Sequence, residues 1–206
     1  MEISRTWYLS IIRACPYSQS RIENGKSSSH LGWTVELYSW RLDPNLSGTS
    51  DLDYLGQLAL HLTDEISRSP NSSELYFRRA NAYLDSGRFQ DAIDDYTKAI
   101  DLSPLDAIFF NNRGIAHRYM GDFNSAVADY DQALLLNPEY RDAFTNRGVV
   151  YADMGDLDSA VSDFDMAIEL DSEFWFAYSQ RGLALWALGR REEAEADYAR
   201  LRELQS

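Results

Sequence analysis

The chain has 206 residues, 45% of them hydrophobic, and its 33 acidic residues outweigh 19 basic ones to give a net charge of −14. That length and apolar content suffice to bury a core. A body so acidic repels phosphate, which argues against nucleic acid and anionic membrane as ligands and favours a neutral or basic protein partner.

The first 50 residues differ from the rest. They hold five basic and four acidic residues, so residues 51–206 carry a charge of −15. The opening "MEISRTWYLSIIRAC" faintly resembles a signal peptide or a lipidated-cysteine signal, but its apolar run is short and Arg13 sits near the would-be cleavage point. A cytoplasmic location is expected, with export or lipidation as the alternative. Cys15 is the one cysteine, so no internal disulfide forms. "GKS" at 25–27 has the tail of a phosphate-binding loop, yet Ser20 stands where the first glycine belongs. "GKSSS" and "SGTS" read as loops, and "GWTVELYSW" alternates like a short strand. Trp7, Trp33 and Trp40 suit a segment that docks on the remainder or on a partner, against a plain irregular extension over 1–50.

"DLDYLGQLALHLTDEISRSP" (51–70) reads as a helix, and a capping segment is expected over 51–72. From residue 73 the chain repeats every 34 residues. Small residues recur at Ala80, Gly114, Gly148 and Gly182, and a second glycine at Gly87, Gly121, Gly155 and Gly189. Alanines recur at Ala92, Ala126, Ala160 and Ala194. Aromatics recur at Tyr76, Phe110, Phe144 and Tyr178, and again at Tyr96, Tyr130, Phe164 and Tyr198. Pro70, Pro104 and Pro138 keep the same step, with Ser172 in the next slot. "ELYFRRANAYLD" and "RFQDAIDDYTKAIDL" each place apolar residues at helical spacing on either side of Gly87.

These columns resemble the tetratricopeptide-repeat family, whose unit is a 34-residue helix–turn–helix. The resemblance implies an all-α, right-handed superhelix with repeats at 73–106, 107–140, 141–174 and a self-capping 175–206. The first small residue lets paired helices approach closely, and the second glycine turns one helix into the next. Arg79, Arg113, Arg147 and Arg181 precede the small residue, where the family more often has leucine. Asp95, Asp129, Asp163 and Asp197 form a matching column before the second-helix aromatic. A structural ladder of Arg–Asp pairs is expected, within or between units; a ligand-binding arginine row is the alternative. In the last helix Arg191 and Glu195 replace the apolar residues of earlier units, as a cap requires.

No catalytic residue, cofactor site or metal site is expected. His30, His61 and His117 lack metal-ligand spacing, and His117 shares a column with Tyr83, Tyr151 and Leu185. The family resemblance implies that first helices line a concave, peptide-binding groove. On these residues that surface would comprise Phe77, Arg78, Asn81 and Asp85, then Ile108, Asn111, Asn112, Ile115, Arg118 and Tyr119. It continues through Asp142, Asn146, Val149 and Asp153 to Phe176, Gln180, Leu183 and Trp186. Asn112, Asn146 and Gln180 stand one unit apart, similar to the asparagine ladder of the O-GlcNAc transferase superhelix. An amide there offers a peptide group a donor and an acceptor. The carboxylate clamp of cochaperone repeats is not expected, because Phe77, Asp142 and Asn146 replace its cations. The expected function is a non-enzymatic scaffold or adaptor for a peptide or helix. The alternatives are a dedicated chaperone, similar to those of bacterial secretion systems, or a non-catalytic subunit of an enzyme complex. Self-association through the end helices is a further possibility.

Overall fold

The computed structural model of the protein describes residues 51–204, and the readings made on residues 1–50, including the short strand at 32–40, lie outside the described residues. The described residues form two compact units, 51–122 and 123–204. All their regular elements are α-helices. The first unit holds α1 (Asp51–Arg68), α2 (Ser73–Asp85), α3 (Phe89–Leu102) and α4 (Ala107–Met120). The second holds α5 (Phe123–Leu136), α6 (Arg141–Met154), α7 (Leu157–Leu170), α8 (Trp175–Ala187) and α9 (Arg191–Leu204).

The prolines sit two residues past the ends of α1, α3 and α5, where the chain must leave the helix. Each first-to-second-helix turn is built on a glycine in the left-handed region: φ is 75°, 79°, 85° and 79° at Gly87, Gly121, Gly155 and Gly189. Every turn repeats one hydrogen-bond pair. In the third repeat the Gly155 N–H donates to Ala152 O and the Asp156 N–H reaches back to Tyr151 O. This is the glycine-terminated arrangement that satisfies the last carbonyls of a helix.

Gly148 and Gly182 serve close packing. A Cβ on Gly148 would lie 2.9 Å from Phe164 Cε1 and 3.2 Å from Ala160 O, and one on Gly182 would lie 2.7 Å from Tyr198 Cε1. The second-helix aromatic thus occupies the space a first-helix side chain would need. Within the unit 51–122, Ala80, Ala92, Tyr96 and Ala116 form a buried cluster with Phe77, Tyr83, Leu84 and Ile93 packed on it. Within 123–204, Val161, Ala184, Leu185, Ala194 and Tyr198 do the same, with Leu157, Leu183, Trp186 and Leu188 around them. Val161 on α7 therefore packs with residues of the following repeat, while its counterpart on α9, Glu195, is exposed. On α1, Ala59, Leu62 and Ile66 are buried, and the helix adjoins α2. Consecutive helices adjoin within each unit, and so do the first helices of neighbouring repeats, α2 with α4 and α6 with α8.

Candidate interaction surface

The arginine column is built the same way wherever a pair falls inside one unit. Arg147 donates from Nε and Nη2 to the two oxygens of Asp163 at 2.9 and 2.7 Å, and from Nη1 to Asp131 at 2.6 Å. Arg181 repeats this on Asp197, at 2.9 and 2.5 Å, and on Asp165 at 2.6 Å. Arg79 binds Asp95 at 2.6 and 2.7 Å and gives its third bond to Thr63 Oγ1 at 2.8 Å. Arg113 donates to Thr97 Oγ1 at 3.0 Å, and Asp129, in the other unit, is buried. Aromatic rings flank the guanidinium groups, as Phe144 and Tyr151 flank Arg147 at 5.7 and 5.9 Å. Hydrogen bonding to Asp163 raises the Arg147 pKa, whereas burial raises that of Asp163 against the pull of Arg147. Two short N–H···O bonds in a forked geometry favour the ionised form of the pair.

The third acceptor was not identified in the sequence. Thr63, Thr97, Asp131 and Asp165 are also 34 residues apart, each 16 positions before its arginine. Each lies on the second helix that precedes that arginine's own repeat. One guanidinium thereby joins two second helices.

In the unit 51–122 the groove candidates divide. Ile108 is 47% exposed and Arg78 is exposed. Phe77 is half-buried, with its ring centroid 4.9 Å from Phe109 and 5.9 Å from Tyr96, so it belongs largely to the packing. Tyr119 stacks on Phe89 at 5.0 Å with Arg118 beside its ring, and Ile115 is half-buried. Asn111 and Asn112 depart from the expectation of free groove amides, because both are buried, Asn112 to 1% exposure. Asn111 Nδ2 donates to Asn112 Oδ1, Asn112 Nδ2 donates to Asn81 Oδ1, and the Tyr96 hydroxyl donates to the same Asn81 oxygen at 2.6 Å. A buried amide must be satisfied internally, and here one amide answers another. Asn81, half-buried, accepts both bonds on its oxygen.

In the unit 123–204 the candidates form two adjacent stripes. On α6, Asp142, Asn146, Val149 and Asp153 follow at steps of four, three and four, and all are half-buried. On α8, Phe176, Gln180 and Leu183 repeat the spacing, with Trp186 beyond them, again half-buried. Such spacing keeps side chains on one helix face, and α6 adjoins α8. The Gln180 amide makes no hydrogen bond among the described residues. Leu183 and Trp186 also pack on the core cluster, and Arg191 lies 5.0 Å over the Trp186 ring. At the start of α6 an open pocket of about 450 Å³ is lined by Glu139, Tyr140, Arg141, Asp142, Leu170 and Asp171. Arg141 there bonds Asp142 and Asp171 and lies 4.0 Å over the Phe174 ring. This grouping is particular to the third repeat, since Ala107 and Trp175 occupy the Arg141 position in its neighbours.

Among the described residues no group of three or more His, Cys, Asp or Glu side chains could hold a metal ion, and no helix is long and apolar enough to cross a membrane.

Stacked helix–turn–helix units with paired first-helix faces define an all-α repeat protein of the interaction-scaffold class. Family models described as tetratricopeptide repeat match residues 73–105, 111–173 and 177–205, and the chain belongs to this family. No curated protein matches the sequence. Among solved structures, a crystal structure of MamA is similar at 27% identity and a TM-score of 0.68, covering 71% of this chain and 86% of that one. The first tetratricopeptide domain of Spaghetti (RPAP3), bound to the HSP90 peptide SRMEEVD, matches at 27% identity and a TM-score of 0.56, covering 57% of this chain and 93% of that one. The first such domain of human RPAP3 matches at 28% identity and a TM-score of 0.57, covering 60% and 97%. Fold and neighbours are those of protein–protein interaction scaffolds, which are typically non-catalytic.

Proposed function

We propose that the chain is a non-enzymatic adaptor that holds a peptide or helix of another protein against its first-helix faces. The reading rests on the stripe pair in 123–204. Phe176, Val149 and Leu183 offer apolar contact between the amides of Asn146 and Gln180, and all five residues stay half-exposed on two adjoining helices. Apolar shelves with a few convergent polar groups are what peptide recognition requires: the apolar part supplies affinity and the amides supply register. Arginines do not serve as ligand contacts in this reading, because the guanidinium groups of Arg79, Arg147 and Arg181 are already engaged by carboxylates.

The test is capture of partners from a lysate of the source organism by the full chain and by Asn146→Ala/Gln180→Ala, after circular dichroism establishes equal helicity. A partner retained by the wild type and lost by the double variant places binding on this face. Equal recovery by both moves it to the outer helices or to residues 1–50.

A further inference from the structure

α1 has the register of a second helix but, among the described residues, no first helix of its own. In the later repeats, three columns mark the side of the second helix that receives its own first helix: Ala92, Asp95 and Ala99 with their counterparts at each 34-residue step. Every member of these columns is buried. One step earlier the same positions are Leu58, His61 and Glu65, which with Tyr54 follow at steps of four, three and four along one helix face. Here the His61 and Glu65 side chains are 65% and 35% exposed, and Tyr54 and Leu58 are only half-buried. His61 Nε2 lies 3.6 Å from Glu65, so the two polar groups answer each other and the apolar pair stays open. Another side of α1 is already covered, since Ala59, Leu62 and Ile66 are buried and the helix adjoins α2. A repeat stack requires its end to be closed.

A further first helix does not fit this place. The 34-residue step puts it at 39–51, where Pro44 and Gly48 interrupt a helix and Asn45 and Leu46 stand in the arginine and small-residue slots. α1 already runs through position 53, where the turn glycine would fall. Leu58 and Glu65 also replace the alanines that let paired helices approach closely, so the face suits flat rings better than a close-packed helix. A second copy would bring another body of charge −15 over residues 51–206, and the two bodies repel. "GWTVELYSWRL" (32–42) is neutral, lies in the part of the chain that is not acidic, and carries Trp33 and Trp40. Trp40 is eleven residues ahead of Asp51, a length that reaches up to about 36 Å when extended. Leu58 lies seven residues of helix beyond Asp51, about 10 Å. Docking over so short a connection is intramolecular, and a separate partner must outcompete it. We infer that the segment 32–42 lies on the open face of α1, with Trp40 against Tyr54 and Leu58, and closes this end of the stack in place of a first helix.

A photo-crosslinking residue replacing His61 in the purified full chain tests this. One replacing Leu60, 73% exposed and on another side of the helix, is the control. After irradiation and proteolysis, position 61 should cross-link within its own chain to residues 32–42, and position 60 should not. Mixing isotope-labelled and unlabelled chains separates cross-links within one chain from those between copies. Cross-links from 61 to a second copy or to residues 1–31 alone, equal yields from both positions, or no cross-link from 61 overturn the inference. Tryptophan emission gives a second reading. At equal helicity Leu58→Glu should shift emission to the red and raise acrylamide quenching, whereas Leu60→Glu should do neither. The change should vanish when Trp33→Phe and Trp40→Phe are also present. No red shift from Leu58→Glu, or one that persists without Trp33 and Trp40, overturns the inference; where Leu58→Glu lowers helicity, the cross-link from position 61 decides.

Discussion

Arg147 holds two carboxylates in different surroundings, so two single substitutions of one chemistry should differ several-fold in cost. The Asp163 side chain is 6% exposed and that of Asp131 54%, yet the closest N–H···O distances are 2.7 and 2.6 Å. Asp163→Ala leaves a guanidinium that is itself only 20% exposed facing a vacated partner position. Removing one member of a buried pair costs about 3–5 kcal/mol. Because Asp131 remains to neutralise Arg147, a cost at or just below the bottom of that range, about 2–3 kcal/mol, is expected. Asp131→Ala removes a solvent-screened pair and should cost below about 1 kcal/mol. Urea unfolding of the full chain followed at 222 nm measures both. At about 1–3 kcal/mol per molar urea, Asp163→Ala lowers the midpoint by roughly 1 M or more and Asp131→Ala by a few tenths. Arg147→Met/Asp163→Ala should recover part of the loss, since no buried charge is left unpaired and Asp131, which loses its partner, is 54% exposed. Equal midpoints for the two single variants, or a larger loss for Asp131→Ala, would refute the burial argument.

Other substitutions probe the same framework. Gly148→Ala and Gly155→Ala should each lower the urea midpoint for different reasons. The first forces a Cβ against Phe164 and the Ala160 carbonyl, an overpacking cost of about 1–3 kcal/mol. The second places alanine at φ 85° in open space, about 1 kcal/mol, so Gly155→Asn should be milder than Gly155→Ala while Gly148→Asn should be worse than Gly148→Ala. Tyr96→Phe deletes the hydroxyl donated to Asn81 and should cost about 1 kcal/mol; an unchanged midpoint would show that this bond adds nothing. Thr63→Asp gives Arg79 Nη1 the kind of carboxylate that Arg147 and Arg181 already have. It should raise the stability read from the midpoint by up to about 1 kcal/mol at low ionic strength, with the gain gone in 1 M salt. A gain that persists in salt would mean the effect is not electrostatic.

What the sequence reveals follows from which requirements recur. Glycine at 148 and 182 answers a contact distance, and glycine at 87, 121, 155 and 189 answers a backbone angle; each returns with every unit and stands out as a column. Arginine and aspartate likewise recur in matched columns. The third acceptor hides because threonine and aspartate share it, and because it belongs to the second helix of the preceding unit rather than to the arginine's own. The Asn111–Asn112–Asn81–Tyr96 chain is harder still to read. Its members are 1, 31 and 15 residues apart, and nothing in an isolated asparagine distinguishes an amide that faces a groove from one that satisfies another amide. Arg141, with Asp142 and Asp171, occurs in one repeat alone and leaves no period to find.

On the proposed function, a partner protein sits against the first-helix face of the second unit. A photo-crosslinking residue introduced in the full chain at position 180 on α8, and separately at exposed position 169 on α7, tests it most directly. After irradiation in lysate, position 180 should yield a discrete higher-mass adduct that Asn146→Ala weakens, and position 169 should yield none. An adduct from 169 with none from 180 would place the partner on the second helices instead.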